Sequence, residues 1–287
     1  MPTDSDGIVP GTAAEDEREA GESVGVRAYA NLALVKYWGK SDSLRNLPAT
    51  PSIGINLAAL RVDTQLRETG LRKSDRSGEI TVTVDGLAQE SARYAGFMRT
   101  FAETTGFSGD IVAVSRGSFP AGAGLASSAA GFAALAVGCA ELAKRSGGPS
   151  LSGEEISALA RVGSGSAARA VIGGFSLFPA GATHATQLAD ARHWPELRVV
   201  IATVTTRAKD LSSRSAMERT RHTSPYFSAW VSDSGKMADE AMRRIAERDL
   251  EALGDLVRAS YARMHATMLG AQPPIRYWSP VSLEVLD

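Results

Sequence analysis

Three stretches of this 287-residue chain combine residue types suited to gripping anions. In Asn31-Leu-Ala-Leu-Val-Lys-Tyr-Trp-Gly-Lys40, two lysines and two aromatics stand at the end of a strand-like run, just before a glycine turn. Lysines so placed commonly only hydrate a loop. The functional alternative is that Lys36 and Lys40 contact a phosphate or carboxylate while Tyr37 and Trp38 wall a pocket. Ser164-Gly-Ser-Ala-Ala-Arg169 puts hydroxyl donors ahead of a guanidinium, a pairing that suits a carboxylate or a pair of phosphate oxygens. On spacing alone, a capped helix start with a solvent-facing arginine is the simpler reading. Ser212-Ser-Arg-Ser-Ala-Met217 repeats the theme, and its basic neighbours read as a solvated helix face.

A fourth stretch supplies backbone rather than charge. Phe119-Pro-Ala-Gly-Ala-Gly-Leu-Ala-Ser-Ser-Ala-Ala-Gly131 joins a strand-like Ile111–Val114 to an alanine-rich helix running toward Lys144. Gly122 and Gly124 permit close backbone approach, and Ser127 and Ser128 open the helix. Open N–H groups and the positive end of a helix dipole favour a phosphate there, while a purely structural glycine turn stays open on local pattern. Gly-x-x-x-x-Gly-Lys-Ser/Thr is absent, so this is not a Walker loop. A dinucleotide fingerprint is disfavoured because Glu141 falls inside the helix, not after a second strand. The uncharged run from Phe119 to Ala140 is too rich in Gly, Ala and Ser for a membrane span.

Bulk properties narrow the partners. With 31 basic and 32 acidic side chains the net charge is −1, so no global field draws nucleic acid or membrane and a small molecule is expected. The lone cysteine, Cys139, cannot form an intrachain disulfide and reads as a small core residue. The four histidines show no metal-ligand spacing, and no nucleophile elbow is present.

The elements that must position these groups follow from pattern. Residues 1–23 are polar and acidic and are expected to be a disordered tail. Strands are expected at Val26–Ala30, Leu32–Tyr37, Ser52–Leu57, Arg61–Glu68, Ile80–Val84, Phe175–Phe178 and Leu197–Val204, with a turn at Asp85-Gly86. Helical spacing covers Ser91–Thr104 and most of Ser212–Leu269, and Ser152-x-x-Glu155 is a capping box opening a helix through Arg161. Periodicity alone gives an α+β protein with two domains.

Together these segments, with Met264-His-Ala-Thr-Met-Leu-Gly-Ala-Gln-Pro-Pro274, closely resemble the diphosphomevalonate decarboxylases of the GHMP kinase superfamily, five motifs occurring in the family's order. The resemblance implies a two-domain α+β fold: an α/β N-terminal domain with a left-handed crossover over residues 24–190, and a ferredoxin-like C-terminal domain, incomplete, over 191–287. It implies ATP-dependent decarboxylation of 5-diphosphomevalonate to isopentenyl diphosphate with ATP and Mg²⁺, in a cytoplasmic homodimer with no nucleic-acid or membrane partner.

By position, Gly122, Gly124, Leu125, Ala126, Ser127 and Ser128 would bind ATP, Ser127 also meeting Mg²⁺. Tyr37, Trp38, Gly39, Lys40, Arg93, Ser213 and Arg214 would take the diphosphate end. Ser164, Gly165, Ser166, Ala167 and Ala168 would fix the substrate, Arg169 would grip its carboxylate and Lys36 would sit by the reacting hydroxyl. The family's catalytic aspartate lies in an Asp-Ala-Gly-Pro-Asn motif beyond Asp287, so turnover by this chain is expected to be weak or lost. Phosphomevalonate decarboxylase, mevalonate 3-kinase and a ligand-binding paralogue without turnover are the alternatives.

Overall fold

The computed structural model describes residues 9–11, 23–69, 78–119, 127–205 and 211–286. Two long strands organise it, β2 (Ser23–Val35) and β5 (Ser52–Thr69), paired antiparallel along most of their length. Each merges two strands expected separately. Tyr29 pairs with Arg61 and Ala30 with Leu57, so residues 58–60 form a bulge that bends β5 without ending it. Alternation along β2 buries Val24, Val26, Ala28 and Ala30 on one face, the period-2 pattern of a half-buried strand.

The remaining strands add to this pair. β1 (Val9–Gly11) lies against the outer edge of β2, so part of the expected disordered tail is ordered; residues 1–8 and 12–22 lie outside the described residues. A bare β2 edge is a ready template for such pairing. β3 (Lys40–Asp42) and β4 (Leu47–Pro48) form a separate small hairpin. β6 (Ile80–Val84) turns through Asp85-Gly86 into β7 (Leu87–Ala88), the turn expected there, and both turn residues have positive φ. Helix α1 (Ala95–Thr105) then leads to β8 (Asp110–Gly117), parallel to β6 and antiparallel to the second half of β5.

Helix α2 (Ser127–Arg145) packs on β2 and β5. Its small residues let it lie close: a Cβ on Gly138 would sit 2.3 Å from a Leu66 methyl. The expected capping box opens α3 (Gly153–Gly163), with Ser152 Oγ accepting from Glu155 N and the Glu155 carboxylate accepting from Ser152 N. The short α4 (Ala167–Val171) leads to β9 (Phe175–Phe178), which pairs with the first half of β5 and with β10 (Thr186–Ala189).

The C-terminal third is helical: α5 (Ser213–Thr223), α6 (Phe227–Glu247), α7 (Leu250–Leu269) and α8 (Pro280–Leu286). The strand expected over Leu197–Val204 is not formed. The segment has no regular structure, and Val200 is 92% exposed. An apolar run becomes a strand only beside a partner, and among the described residues no strand pairs with it. No described helix is long and apolar enough to cross a membrane.

There are two main cores. One packs α1, α2 and α3 on the sheet around Phe97, Phe101, Phe132 and Leu66; the other packs α5, α6 and α7 around Trp38, Ile53, Phe175 and Trp230. Because β2 and β5 pass from the first core into the second, the residues just after β2 lie where the two meet.

Candidate active site

An open cavity of about 880 Å³ lies at that junction. Five basic side chains line it, Lys36, Lys40, Arg93, Arg169 and Arg214, against one acid among the described residues, Asp85. Asp85 Oδ1 accepts from Gly117 N at 2.9 Å, so even that carboxylate is engaged on the far wall. Such a cleft attracts a multiply charged anion.

Arg169 sits in α4 and is 1% exposed, overturning the solvent-facing reading of its motif. Its Nε donates to Asn31 Oδ1 at 2.9 Å and its Nη1 to Ser52 Oγ. Both acceptors are neutral, and among the described residues no carboxylate pairs with it. Burial lowers its pKa to about 10, partly offset by Tyr37. A buried guanidinium with only neutral acceptors is poised for an incoming anion, because it has lost water without gaining a counter-charge. Gly54 makes room for this arrangement: a Cβ there would lie 2.1 Å from Asn31 Oδ1 and 2.8 Å from Arg169 Nε.

Lys36 follows β2 directly. Its Nζ donates to the Ala33 carbonyl at 2.8 Å, and its backbone N donates to Ser260 Oγ of α7 at 3.0 Å. Burial and then the charge of Arg169 push its ammonium down to about 8. Tyr37 stacks on Phe178, and its hydroxyl is buried without a hydrogen-bond partner. That orphan donor lies against Gly165, where a Cβ would come within 2.2 Å of it, and burial raises it to about 12. Trp38 is fixed by its carbonyl, which accepts from Trp230 Nε1 at 2.8 Å. Gly39 turns the chain with φ +102, and a Cβ there would strike the Phe227 ring at 2.7 Å.

Lys40 and Arg214 form a second cationic group on the lining. Lys40 is 5% exposed, and its Nζ donates to Asn46 Oδ1 at 2.5 Å. Burial, then Arg214, lowers it to about 8, while Glu218 acts the other way. Ser212 caps α5 by accepting from Ser215 N at 3.1 Å, placing Ser213 and Arg214 in the first turn beside the cavity. Ser164, Gly165 and Ser166 line the middle, with the two hydroxyls 3.4 Å apart, and the buried Ala167 and Ala168 begin α4 behind them.

The third wall is the start of α2, where Ser127 and Ser128 line the cavity. Gly122, Gly124, Leu125 and Ala126 lie outside the described residues. Arg93 is not beside Lys40. Its Nη2 donates to Ser128 Oγ at 2.9 Å, and its guanidinium lies 5.6 Å from the Phe132 ring centre, so it belongs to the α2 end. Sequence reasoning gave no role to Asn31, Asn46, Ser52 or Ser260. A lone Asn inside the apolar run of β2 was the one available signal, since a buried amide needs a partner.

Fold and cleft together define a small-molecule enzyme of the GHMP kinase fold. Residues 28–189 match the model of the diphosphomevalonate decarboxylase-like N-terminal domain, and residues 199–287 that of the mevalonate 5-diphosphate decarboxylase C-terminal domain. The chain belongs to the diphosphomevalonate decarboxylase family. It is 35% identical to the diphosphomevalonate decarboxylase of Eremothecium gossypii over 277 residues, covering 90% of this chain and 69% of the relative. Against the Saccharomyces cerevisiae enzyme it is 32% identical over 280 residues, 91% of this chain and 70% of that one. Mevalonate diphosphate decarboxylase from Staphylococcus aureus superposes with a TM-score of 0.82 at 30% identity, over 92% of this chain and 79% of that chain. A complex of MDDEF with MVAPP, AMPPCP and magnesium superposes with a TM-score of 0.78 at 31% identity, over 93% and 81%.

Proposed function

We propose that this chain performs ATP-dependent decarboxylation of 5-diphosphomevalonate, giving isopentenyl diphosphate, ADP, phosphate and carbon dioxide. The observation that carries the reading is two distinct cationic groups lining one cleft: buried Arg169, with only neutral partners, and the Lys40–Arg214 pair. A ligand with a carboxylate at one terminus and a diphosphate at the other satisfies both.

Arg169 receives the carboxylate, for which its planar fork is suited. Lys40 and Arg214, with the Tyr37 hydroxyl donating between them and the carboxylate end, receive the diphosphate. Ser164 and Ser166 hold the substrate's middle. At the α2 end, Ser127, Ser128 and Arg93 meet the nucleotide phosphates, and the apolar wall of Leu57, Leu60, Val84 and Leu87 takes the base. The donor set fits a magnesium ion that arrives with its nucleotide: Ser127 offers a hard hydroxyl oxygen, and the described residues contain no cage of three His, Cys, Asp or Glu. Mg²⁺ bound there would neutralise charge on the transferring phosphoryl group.

A tertiary hydroxyl leaves poorly, so the 3-oxygen first takes the γ-phosphoryl group as the bond from Pγ to ADP breaks, and the hydroxyl proton ends on the phosphate that is finally released. The C–O bond then breaks with its electron pair leaving on phosphate, and the electrons of the C–CO₂ bond become the new double bond. Lys36, beside Arg169, supplies positive charge near the reacting oxygen, the kind of electrostatic positioning that dominates phosphoryl transfer. We place the division between the two domains near residue 190 and take the working form to be a cytoplasmic homodimer.

Phosphate release and isopentenyl diphosphate formation from ATP and 5-diphosphomevalonate test the reading; turnover of mevalonate or its monophosphate instead would refute the substrate. One observation favours a second reading, a protein that binds both ligands without turnover: Asp85, the single described acid lining the cavity, is already held by Gly117 N. Binding of both ligands by calorimetry without phosphate release would decide for it.

A further inference from the structure

The β3–β4 hairpin reaches into the cleft through Asn46. This residue is 2% exposed and has φ 53, a left-handed conformation that asparagine tolerates better than most side chains. Both amide protons and one lone pair of its oxygen are engaged. Oδ1 accepts from Lys40 Nζ at 2.5 Å, while Nδ2 donates to the carbonyls of Val162 at 2.6 Å and Arg161 at 3.2 Å. The reverse amide orientation would set NH₂ against an ammonium and oxygen against two carbonyls, so the partners dictate the assignment. Those carbonyls are among the last of α3, which have no partner within the helix, and the next residues are the Ser164–Arg169 loop.

We propose that Asn46 is a positioning residue for the substrate: it fastens the Lys40 ammonium to the end of α3 from which the Ser164–Arg169 loop departs, so the diphosphate and carboxylate contacts keep a set separation. The inference rests on the reading that the diphosphate lies at Lys40 and Arg214. A neutral amide suits this task. It holds the cation without neutralising it, whereas a carboxylate at the same place would pair with Lys40 and repel the ligand. Two charged side chains act on Lys40, both from α5: Arg214 and the opposing Glu218. Asp42 and Arg45 of its own hairpin act on Arg161 instead.

The test is a double-mutant cycle in the full chain, read by calorimetric titration of 5-diphosphomevalonate, with AMPPCP and Mg²⁺ as a separate ligand. Asn46→Gly keeps the positive φ and deletes the amide. It is expected to weaken substrate binding roughly 10-fold, the effect of one charge-assisted hydrogen bond, and to leave the nucleotide Kd unchanged. In a Lys40→Met background the same change is expected to add nothing, because the group it positions is gone. Asn46→Ser, whose hydroxyl can still donate a proton but which offers Lys40 no amide oxygen, is the second variant if the glycine variant does not fold, and it should also weaken the substrate selectively. Additive losses, an unchanged substrate Kd in Asn46→Gly, parallel loss of nucleotide affinity, or unfolding of both variants would overturn the proposal in favour of a structural asparagine. If Lys40→Met itself leaves substrate binding intact, the placement of the diphosphate fails and the role of Asn46 fails with it.

Discussion

Arg169→Ala isolates the carboxylate end of the cleft. The guanidinium is 1% exposed and spends its observed hydrogen bonds on Asn31 Oδ1 and Ser52 Oγ. Removing it has two effects on the free protein that oppose each other. Two neutral acceptors lose a partner, at about 1–3 kcal/mol for each left unsatisfied, while a buried cation with no counter-charge disappears. Binding is the cleaner quantity. A charge-assisted bond to the substrate carboxylate contributes about 1.5–3 kcal/mol, so the Kd for 5-diphosphomevalonate should rise roughly 10- to 150-fold. Isopentenyl diphosphate keeps the diphosphate and lacks the carboxylate, so its Kd should barely move, and the difference between the ligands measures the carboxylate contact alone. AMPPCP with Mg²⁺, bound at the α2 end, serves as a second control. Equal losses for all three ligands in calorimetric titration would mean that Arg169 supports the cavity wall and contacts no carboxylate.

Four further outcomes follow from the same geometry. Ser127→Ala, at the first residue of α2, should weaken AMPPCP with Mg²⁺ and slow phosphate release while leaving the substrate Kd unchanged; a normal rate would move the phosphate site elsewhere. Lys36 and Lys40 are each lowered from 10.5 to about 8, so both are charged below pH 8, and affinity for the diphosphate should fall as pH rises through that value. Stability of the unliganded protein should move the opposite way: between about pH 8 and 10.5 the unfolded chain holds protons that the folded one lacks, so the melting temperature should climb. A melting temperature that falls over this window would show that the lysines are not buried as described. Val200→Lys, at a position 92% exposed in an unpaired apolar run, should reduce aggregation on concentration without changing either ligand's affinity, and unchanged light scattering would clear that run of responsibility.

What could be read from the sequence is what acts locally. The capping box at Ser152 and Glu155 and the Asp85-Gly86 turn depend on neighbours within a few residues, and both are present. The bulge at residues 58–60 was hidden because an interruption in alternation looks the same whether a strand ends or bends. The site divides similarly. Lys36, Tyr37, Lys40 and Ser164 announce themselves as charged or hydroxyl-bearing residues around glycine turns, Arg214 as a basic residue in a serine-rich run, and all five line the cavity. Their partners do not. Ser52 is 117 positions from Arg169 and Ser260 is 224 from Lys36, so no spacing rule connects them. Arg169 shows the same limit from the other side. Its motif fits an exposed helix start, and only the approach of Asn31 and Ser52 from β2 and β5 makes it buried. Leu197–Val204 has strand composition and no strand, since β-propensity describes how well a residue fits beside a neighbour.

The choice of those partners explains how a cleft with five cations can keep them available. Each buried cation toward the substrate ends is held by a neutral acceptor: Lys36 by the Ala33 carbonyl, Lys40 by Asn46, Arg169 by Asn31 and Ser52. Carboxylates in those positions would hold the side chains more tightly, yet each would have to be displaced or out-competed when an anion arrived. The acid that acts on Lys40 illustrates the alternative. Glu218 is taken by Ser43 Oγ at 2.7 Å, by His222 at 2.7 Å and by Arg221 at 3.6 Å, and its carboxyl is held below the usual range chiefly by Ser43 and His222. Its charge is therefore spent on the α5 surface, and its effect on Lys40 is smaller than that of Arg214. Dipoles thus orient the cations at modest cost in affinity, and the uncompensated charge left in the cleft becomes the driving force for an anionic substrate. Burial first, and then the like charges of Arg169 and Arg214, lower Lys36 and Lys40, respectively, to about 8, and the empty cleft is less stable than a neutral one would be. The strain of like charges and the selectivity for a ligand bearing both a carboxylate and a diphosphate are one property of the site, measured with the ligand absent and with it bound.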